Sequence, residues 1–361
     1  MKTAEGWKRR KASKRAVQRR GEGHAAHAKR DLISIADLSV GDISEIFAIA
    51  RDLKRKHVRG KRSSPLAGKT LAMIFQKPSL RTRVTFETGI TQLGGSAIYL
   101  APEDIRAGER ESVADIAQNL ACWVDAIVAR TYEHDVLLEL ARSAQIPVIN
   151  GLTDLLHPCQ VLSDCFTLEE IRGGLAGTRV AFVGDGNNVV HSWLYASALL
   201  GIHFTLACPP GYEPRRDIVE WARGRAPATI SITHDPEAAV RRANVIYTDV
   251  WTSMGQEHDA KIRRRAFQHY QVNERLVRLA AADVLIMHCL PAHRGEEITD
   301  AVLDGPHSII LQQAENRLHT QKGILVWLLG AELGGRKPTG TVPGRRRPRG
   351  SATRTRPPAR R

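Results

Sequence analysis

Short apolar runs alternate with segments of helical period along most of this chain, and this alternation limits the fold more than any other feature. The runs are five or six residues long, as in TLAMIF at 70–75 and RVAFVG at 179–184. Strands that read as continuous apolar runs are buried on both faces, which is typical of parallel sheets covered by helices. The pattern therefore predicts an α/β fold.

The runs fall into two series, which predict two domains joined by interdomain helices. The first series predicts strands at 70–75, 96–100, 125–130 and 146–150. The second series predicts strands at 179–184, 202–207, 229–232, 244–248, 284–288 and 308–312. Between them, the segment from His157 to Arg172 reads as one connecting helix, since it begins at a His-Pro pair and ends before two glycines. A last helix is predicted at 314–330.

The positive charge of the chain is concentrated at its two ends. The formal net charge is +15, of which residues 1–30 carry +9 and residues 336–361 carry +10, so the body between them is slightly acidic. Arg, Pro and Gly dominate these tails, and such segments cannot bury a core, so both are predicted to be disordered. They could contact RNA nonspecifically, or the first could be a transit peptide, but solvated extensions are the favoured interpretation.

Two further features limit the environment of the protein. No window approaches the roughly 18 apolar residues of a membrane span, which predicts a soluble protein with no membrane partner. The five cysteines are odd in number and scattered, without CxxC spacing. This usage predicts free thiols in a reducing compartment, and hence a cytoplasmic location.

Ligands of open α/β sheets bind beyond the carboxyl ends of the strands, so polar residues there carry the functional information. After the strand at 70–75, Ser79 stands at the N-cap position of a helix and is followed by Arg81, Thr82 and Arg83. Arg130 ends another strand of the same series. Together with the helix N-terminus, these groups offer the charged donors that a phosphate dianion needs, although a simple N-cap with solvated arginines is an even alternative.

Two other segments offer polar groups for a carbonyl or an amine. His157 and Gln160 begin the connecting helix three residues apart, where an imidazole can polarise a carbonyl oxygen and an amide oxygen can accept from an NH2 group. Cys289 follows the strand at 284–288. A nucleophilic role for this thiol needs a paired base, and a metal site of His288, Cys289 and His293 lacks a fourth ligand, so no metal is predicted.

The turn after the strand at 179–184 partly matches the fingerprint of a dinucleotide site. Gly184 and Gly186 have the right spacing, but the third position of the fingerprint is Val189. The acidic residue expected about twenty positions later is also absent. A dehydrogenase is therefore disfavoured.

Taken together, these segments resemble the aspartate/ornithine carbamoyltransferase family over nearly all of 31–330. The stretch KPSLRTRVTFE resembles the family's carbamoyl-phosphate loop, HPCQ its second signature, and HCLPA the form found in the ornithine enzymes. The segments GDGNN at 184–188 and DVWTSMG at 249–255 resemble the ornithine enzymes' strand-to-helix turn and substrate loop. The resemblance implies two Rossmann-like domains.

The resemblance implies carbamoyl transfer from carbamoyl phosphate to the δ-amine of L-ornithine. It implies a carbamoyl-phosphate domain at 31–165, to which helix 314–330 returns, and an ornithine domain at 166–313. Catalytic roles fall to Arg81, Arg130, His157 and Cys289. The carbamoyl-phosphate site would comprise Ser79, Leu80, Arg81, Thr82, Arg106, Arg130, His157, Gln160, Cys289, Leu290 and Arg317. The ornithine site would comprise Asn188, Asp249, Ser253 and Met254.

Some implications of the resemblance are weaker or leave alternatives. Leu80 stands where many members have Thr, and Arg106 stands where a neighbouring subunit often offers Gln to the phosphate. The family implies a homotrimer or a multiple of it, and no metal or organic cofactor. Putrescine or an acylated ornithine is the alternative acceptor, and an RNA-binding protein acting through the basic tails is the alternative of a different class.

Overall fold

Nine strands form two parallel sheets within residues 29–105, 111–252 and 257–330, the part of the chain that the computed structural model describes. The first sheet has the order β2-β1-β3-β4 and consists of β1 (Thr70–Phe75), β2 (Ser96–Leu100), β3 (Ala126–Arg130) and β4 (Val148–Leu152). The second has the order β7-β6-β5-β8-β9 and consists of β5 (Arg179–Val183), β6 (His203–Ala207), β7 (Ile230–Thr233), β8 (Val245–Thr248) and β9 (Leu285–His288). The predicted α/β class with two parallel sheets is confirmed.

Helices cover both sheets. In chain order they are α1 (Val40–Val58), α2 (Leu80–Gln92), α3 (Pro102–Ile105), α4 (Val113–Trp123), α5 (His134–Ser143), α6 (Pro158–Arg172), α7 (Asn188–Leu200), α8 (Arg216–Arg225), α9 (Pro236–Val240), α10 (Ala260–Phe267), α11 (Glu274–Val277), α12 (Asp300–Leu303) and α13 (Ile310–Leu329). Short 3-10 turns lie at Ile35–Asp37 and Glu257–Asp259. None of the helices in the described ranges combines the length and the apolar composition needed to cross a membrane. The basic tails lie outside the described residues, apart from residues 29 and 30.

The connecting helix α6 lies where the two sheets meet. It begins with Pro158 at its first position and ends at Gly173, which adopts the left-handed conformation that favours glycine at a helix end. Every residue from Pro158 to Leu168 is buried. A helix buried all round lies inside a core rather than on a surface, so the predicted helix is confirmed and is a central element of the fold.

The predicted strand at 308–312 is wrong. Ser308 makes only an isolated bridge to Ile286, and α13 already begins at Ile310, four residues before the predicted start. A short apolar run cannot by itself distinguish a strand from a buried helical turn. In the helix Ile310 is buried, whereas Leu311 is 83% exposed. Helix α13 then packs against α1, α2 and α6.

Candidate active site

The carboxyl end of β1 leads directly into the N-terminus of α2. Ser79 is the N-cap, and its hydroxyl accepts a hydrogen bond from the backbone N–H of Thr82 at 3.3 Å, so the predicted cap is confirmed. Thr82 is fully buried, whereas Leu80 is exposed. Arg83 turns away from this end, since its guanidinium lies over the Tyr99 ring at 3.7 Å from the centroid. Of the two arginines in this turn, only Arg81 is left for the predicted anion site.

Thr82 connects two arginines that are far apart in the sequence. Its hydroxyl oxygen accepts from Nη2 of Arg317 at 3.0 Å and lies 3.5 Å from Nη1 of Arg130. Burial, together with the charges of Arg317 and Arg81, lowers the pKa of Arg130 to about 10. The group stays cationic at neutral pH. Three guanidinium charges thus meet beside one helix N-terminus, an arrangement that a dianion would stabilise.

His157 lies against the same cationic cluster. Its backbone N–H donates to the Ser192 hydroxyl at 2.8 Å, which fixes the start of α6. Nδ1 of the buried ring has no hydrogen-bond partner among the described residues. Burial holds the pKa of His157 well below its usual value, and the charges of Arg317 and Arg130 act in the same direction. The imidazole is therefore neutral at physiological pH and can donate one hydrogen bond to a ligand.

Gln160 faces the cluster from the first turns of α6. Its Oε1 accepts from Nη1 of Arg317 at 2.7 Å, and its Nε2 donates to Oδ1 of Asp164 at 2.8 Å. The amide oxygen has two lone pairs, so one remains for a ligand NH2 group. The residue stands near the predicted anion site, but Asp164, which the sequence analysis did not single out, holds its nitrogen.

The second sheet contributes an acidic side chain and a thiol at its carboxyl edge. Thr248 and His288 are partners in the β8–β9 ladder, so the next residues, Asp249 and Cys289, emerge side by side. The Cys289 thiol donates to Oδ1 of Asp249 at 3.0 Å. Burial and the carboxylate hold the pKa of Cys289 well above its usual value, while Arg81 lowers it slightly. The thiol is protonated at neutral pH, which does not suit a nucleophile.

The chain then bends at Leu290, which lies in the left-handed region with φ 58°. Its backbone N–H donates to Nδ1 of His288 at 2.8 Å. Since Nδ1 accepts, Nε2 carries the proton and donates to Oε1 of Glu297 at 3.1 Å. Cys289 and Leu290 are therefore held by a buried His–Glu pair, of which the sequence analysis considered only His288, for metal binding, and did not name Glu297.

The ligand atoms of Asp249, His288 and Cys289 lie within 4.8 Å of one another, as in a metal site. The set that was disfavoured from the sequence had His293 in place of Asp249. However, both ring nitrogens of His288 already make hydrogen bonds, to Leu290 and Glu297. These three residues therefore do not fit a metal ion in the conformation described.

The ornithine residues named from the sequence are only partly placed. Asn188 lies at the first position of α7, and its Nδ2 donates to the carbonyl of Thr153 at 2.6 Å. The preceding Asn187 is the N-cap of α7, and its Nδ2 donates to Oδ2 of Asp249 at 2.8 Å. Sequence reasoning missed Asn187, although its position before the helix is the signal for a capping residue. Arg106, Ser253 and Met254 lie outside the described residues.

Residues from distant parts of the chain thus form two facing groups. Arg81, Arg130, His157 and Arg317 share one region, because each arginine charge shifts the pKa of His157. Burial lowers the pKa of Arg81, while the nearby Asp249 carboxylate acts in the opposite direction, which places the acidic side of the second sheet opposite the cationic side of the first. A dianion on one side and a cationic or amine ligand on the other would match these charges.

Comparisons with known proteins agree with this geometry. The carbamoyl-P binding domain of aspartate/ornithine carbamoyltransferase matches residues 30–170, and the Asp/Orn binding domain of the same family matches residues 176–328. An ornithine carbamoyltransferase of Syntrophus aciditrophicus is 52% identical over 301 residues, which cover 83% of this chain and 100% of that protein. The chloroplastic ornithine carbamoyltransferase of Pisum sativum is 49% identical over 302 residues, 83% of this chain and 80% of that protein.

Solved structures show the same relationship. The ornithine carbamoyltransferase of Pyrococcus furiosus superimposes with a TM-score of 0.82 at 49% identity, over 84% of this chain and 98% of that chain. The anabolic enzyme of Campylobacter jejuni gives a TM-score of 0.79 at 36% identity, over 83% of this chain and 98% of that chain. The two family matches cover most of the chain, one on each sheet. The chain belongs to the aspartate/ornithine carbamoyltransferase family.

Proposed function

We propose that this protein transfers the carbamoyl group of carbamoyl phosphate to the δ-amine of L-ornithine, giving L-citrulline and phosphate, the reaction used in arginine biosynthesis. The observation that carries the proposal is the cluster of three guanidinium groups facing the Asp249–Cys289 pair. The relatives named ornithine carbamoyltransferase, at about half identity over most of the chain, support the same substrates.

Carbamoyl phosphate binds first in this proposal. Its phosphate is held by the N-terminus of α2 and by the guanidinium groups around the Thr82 hydroxyl. The residues assigned to this end are Ser79, Leu80, Arg81, Thr82, Arg106, Arg130 and Arg317. The interaction between Arg317 and Thr82 supports the assignment, because it brings the C-terminal helix to the first sheet.

The carbamoyl end lies between His157, Gln160 and the turn at Cys289 and Leu290. The neutral imidazole of His157 and the Arg130 guanidinium donate to the carbonyl oxygen, where negative charge grows as the carbon becomes tetrahedral. The Gln160 oxygen and the backbone carbonyls of Cys289 and Leu290 accept from the NH2 group. Each group acts on an atom whose charge or geometry changes in the reaction.

Ornithine attacks through its δ-nitrogen, which forms the new C–N bond as the bond from carbon to the phosphate oxygen breaks. The δ-ammonium must lose a proton first, and desolvation in the buried site favours the neutral amine, which the Asp249–Cys289 pair then orients. Asp249 and Asn188 bind the polar groups of the α-carbon, with Ser253 and Met254 closing over them. The attacking nitrogen gives up one further proton, which leaves with the departing phosphate, so bonds and protons balance without a metal or an organic cofactor.

The predicted domain boundaries belong to the same proposal. The carbamoyl-phosphate domain would comprise 31–165 together with helix 314–330, and the ornithine domain 166–313. The family matches at 30–170 and 176–328 and the packing of α13 on α1 and α2 support this division.

A homotrimer in the cytoplasm completes the proposal. Strand β2 is an edge strand, and Ile98 on it and Val84 on α2 are both about half exposed. An exposed apolar edge next to the site suits contact with a second copy. All five cysteines are free, as predicted for a reducing compartment.

The test is citrulline formation from carbamoyl phosphate, with ornithine, putrescine, acetylornithine and aspartate compared at equal concentration. A value of kcat/KM for ornithine at least about a hundredfold above the other three is expected, because unpaired polar groups in a site reject analogues strongly. Preference for putrescine or acetylornithine would instead establish the alternative acceptor. RNA retention that disappears when both basic tails are deleted would support the binding protein.

A further inference from the structure

The side chain of Asp164 lies at the centre of a buried hydrogen-bond network behind the proposed carbamoyl site. It is fully buried on α6, four residues after Gln160. Its Oδ1 accepts from Nε2 of Gln160 and from Nε2 of Gln313, both at 2.8 Å. Its Oδ2 accepts from the Tyr247 hydroxyl at 2.9 Å. One carboxylate therefore joins the connecting helix α6, the C-terminal helix α13 and strand β8.

Each of these three donors is connected to a group of the proposed site, either by a further hydrogen bond or along the chain. Gln160 accepts from Arg317, which in turn donates to Thr82. Gln313 accepts through its Oε1 from the backbone N–H of His288 at 3.0 Å, directly before Cys289. Tyr247 lies on β8, two residues before Asp249, which directly follows the strand. Displacement of Asp164 would consequently affect groups on both sheets.

The orientation of the Gln160 amide depends on two neighbours of opposite character. Arg317 has only donors, so it requires the oxygen of the amide, while an ionised Asp164 only accepts and requires the nitrogen. Turning the amide by half a revolution would set NH2 against guanidinium. Without Asp164, Arg317 would be the remaining hydrogen-bond partner of the Gln160 side chain among the described residues.

We propose that Asp164 is a positioning residue for the carbamoyl end of the site. It fixes the orientation of the Gln160 amide and thereby the position of the Arg317 guanidinium against the Thr82 hydroxyl. The inference rests on the proposed carbamoyl transfer. The pKa of Asp164 is raised to about 7, because the effect of burial exceeds that of the hydrogen bonds from Gln313, Gln160 and Tyr247, which lower it. Measurements at pH 8.5 therefore examine the ionised carboxylate.

The experiment compares three variants of the full chain by steady-state kinetics and thermal unfolding. Asp164→Leu keeps the shape of the side chain and removes both acceptors. Asp164→Asn keeps one acceptor oxygen, so one of the three buried donors loses its partner or the Gln160 amide turns. Ser163→Ala is the matched control, because the neighbouring hydroxyl is buried on the same helix and has no partner among the described residues.

Asp164→Leu is expected to lower kcat about tenfold or more and to raise KM for carbamoyl phosphate about fivefold, since small displacements of positioning groups cost up to about a hundredfold in rate. KM for ornithine should change less. Asp164→Asn should lie between this variant and the wild type, with at least about a threefold rise in KM for carbamoyl phosphate. Ser163→Ala should stay within about twofold of the wild type in both constants.

The inference is overturned if folded Asp164 variants keep kcat and both KM values within about twofold while their melting temperatures fall, as a purely structural role predicts. If Asp164→Leu does not fold, Asp164→Asn decides alone by the same criterion. In either case citrulline formation by the wild type leaves the proposed function standing. A wild type that forms no citrulline removes the proposed function, and the inference with it.

Discussion

The thiol of Cys289 donates a hydrogen bond to Oδ1 of Asp249, with the sulphur and oxygen atoms 3.0 Å apart. Burial and the negative carboxylate both hold the pKa of this thiol well above its usual value. Only the thiolate is a strong nucleophile, so a thiol in this setting is a hydrogen-bond donor. The pair can orient an amine that approaches from the side of Asp249.

Slow alkylation of Cys289 is the first expectation. Iodoacetamide at pH 7.5 should modify the exposed Cys122 well before Cys289. Asp249→Asn removes the charge that raises the pKa of Cys289, and each unit of decrease gives about tenfold more thiolate. Alkylation of Cys289 should therefore accelerate about tenfold or more in this variant.

Peptide mass spectrometry over a time course measures both rates in one sample. Cys122 is the internal control, and its rate should be the same in the wild type and in Asp249→Asn. Equal rates at Cys122 and Cys289 in the wild type would show that the thiol is not held in its protonated form.

Cys289→Ala is expected to weaken ornithine binding and to leave measurable turnover. The substitution removes one donor and leaves the carboxylate of Asp249, which still accepts from Asn187 at 2.8 Å. Loss of one hydrogen bond to a charged group corresponds to a rise in KM for ornithine of roughly ten- to hundredfold. Trapping of a carbamoyl group on the sulphur, detected by intact-mass measurement, would overturn the orienting role.

Arg81→Ala is expected to raise KM for carbamoyl phosphate and to lower kcat, each by about tenfold or more, because a charged donor to the phosphate is lost. KM for ornithine should change less. Arg216→Ala is the matched control, since the Arg216 side chain is 92% exposed on α8 and pairs with Glu220. Unchanged kinetics in Arg81→Ala would remove the phosphate assignment.

The ends of most strands could be predicted from the sequence, because strands buried on both faces consist of continuous apolar runs. β1 and β2 begin and end as predicted, and β9 begins one residue late. The run at 308–312 misled the prediction because four apolar or small residues fit a strand and a first helical turn equally well. The difference is decided by contacts of Ile310 that are distant in the sequence.

The residues of the candidate site also differ in whether the sequence could predict them. Ser79, Arg81, His157 and Cys289 could be named because each follows a strand or begins a helix, where the local pattern is informative. Asp164 could not, since its hydroxyl and amide partners on β8 and α13 are 83 and 149 residues away. A buried acidic residue in the middle of a helix carries no local signal.

His157 provides a test of stability against pH. Its pKa in the folded protein lies well below its usual value, because of burial and the charges of Arg317 and Arg130. Below about pH 6.5 the unfolded chain therefore binds more protons at this residue than the folded protein does. The stability associated with the neutral ring is complete above that pH and is lost as the pH falls toward the folded pKa.

The melting temperature of His157→Asn is expected to fall less than that of the wild type between pH 7.5 and pH 5. The reason is that the variant has no group at position 157 that becomes protonated in this range. Differential scanning calorimetry of both proteins at the two pH values measures the two decreases. His319, whose pKa burial lowers to about 3, is present in both proteins and cancels in the comparison. Equal decreases would mean that His157 is not held neutral by its surroundings.

Gly323 is a place where α13 approaches α1 closely, and this approach can be tested with a matched pair of substitutions. A Cβ atom at Gly323 would lie 2.7 Å from the carbonyl oxygen of Ile46 and 3.1 Å from Cβ of Ala50. Neither backbone nor Cβ can move without moving its helix, so Gly323→Ala should destabilise the protein by about 1–3 kcal/mol. Gly224→Ala, on α8 with nothing within 4 Å, should stabilise it by about 0.5–1 kcal/mol.

The same substitution connects helix packing to the proposed site. Arg317 lies six residues before Gly323 on α13, and it holds both Gln160 and Thr82. A shift of the helix away from α1 would move the guanidinium relative to these partners. Gly323→Ala should therefore raise KM for carbamoyl phosphate as well as lower the urea midpoint, whereas Gly224→Ala should leave KM unchanged. If Gly323→Ala is destabilised but its kinetic constants are unaltered, the position of the Arg317 guanidinium does not depend on how closely α13 packs against α1.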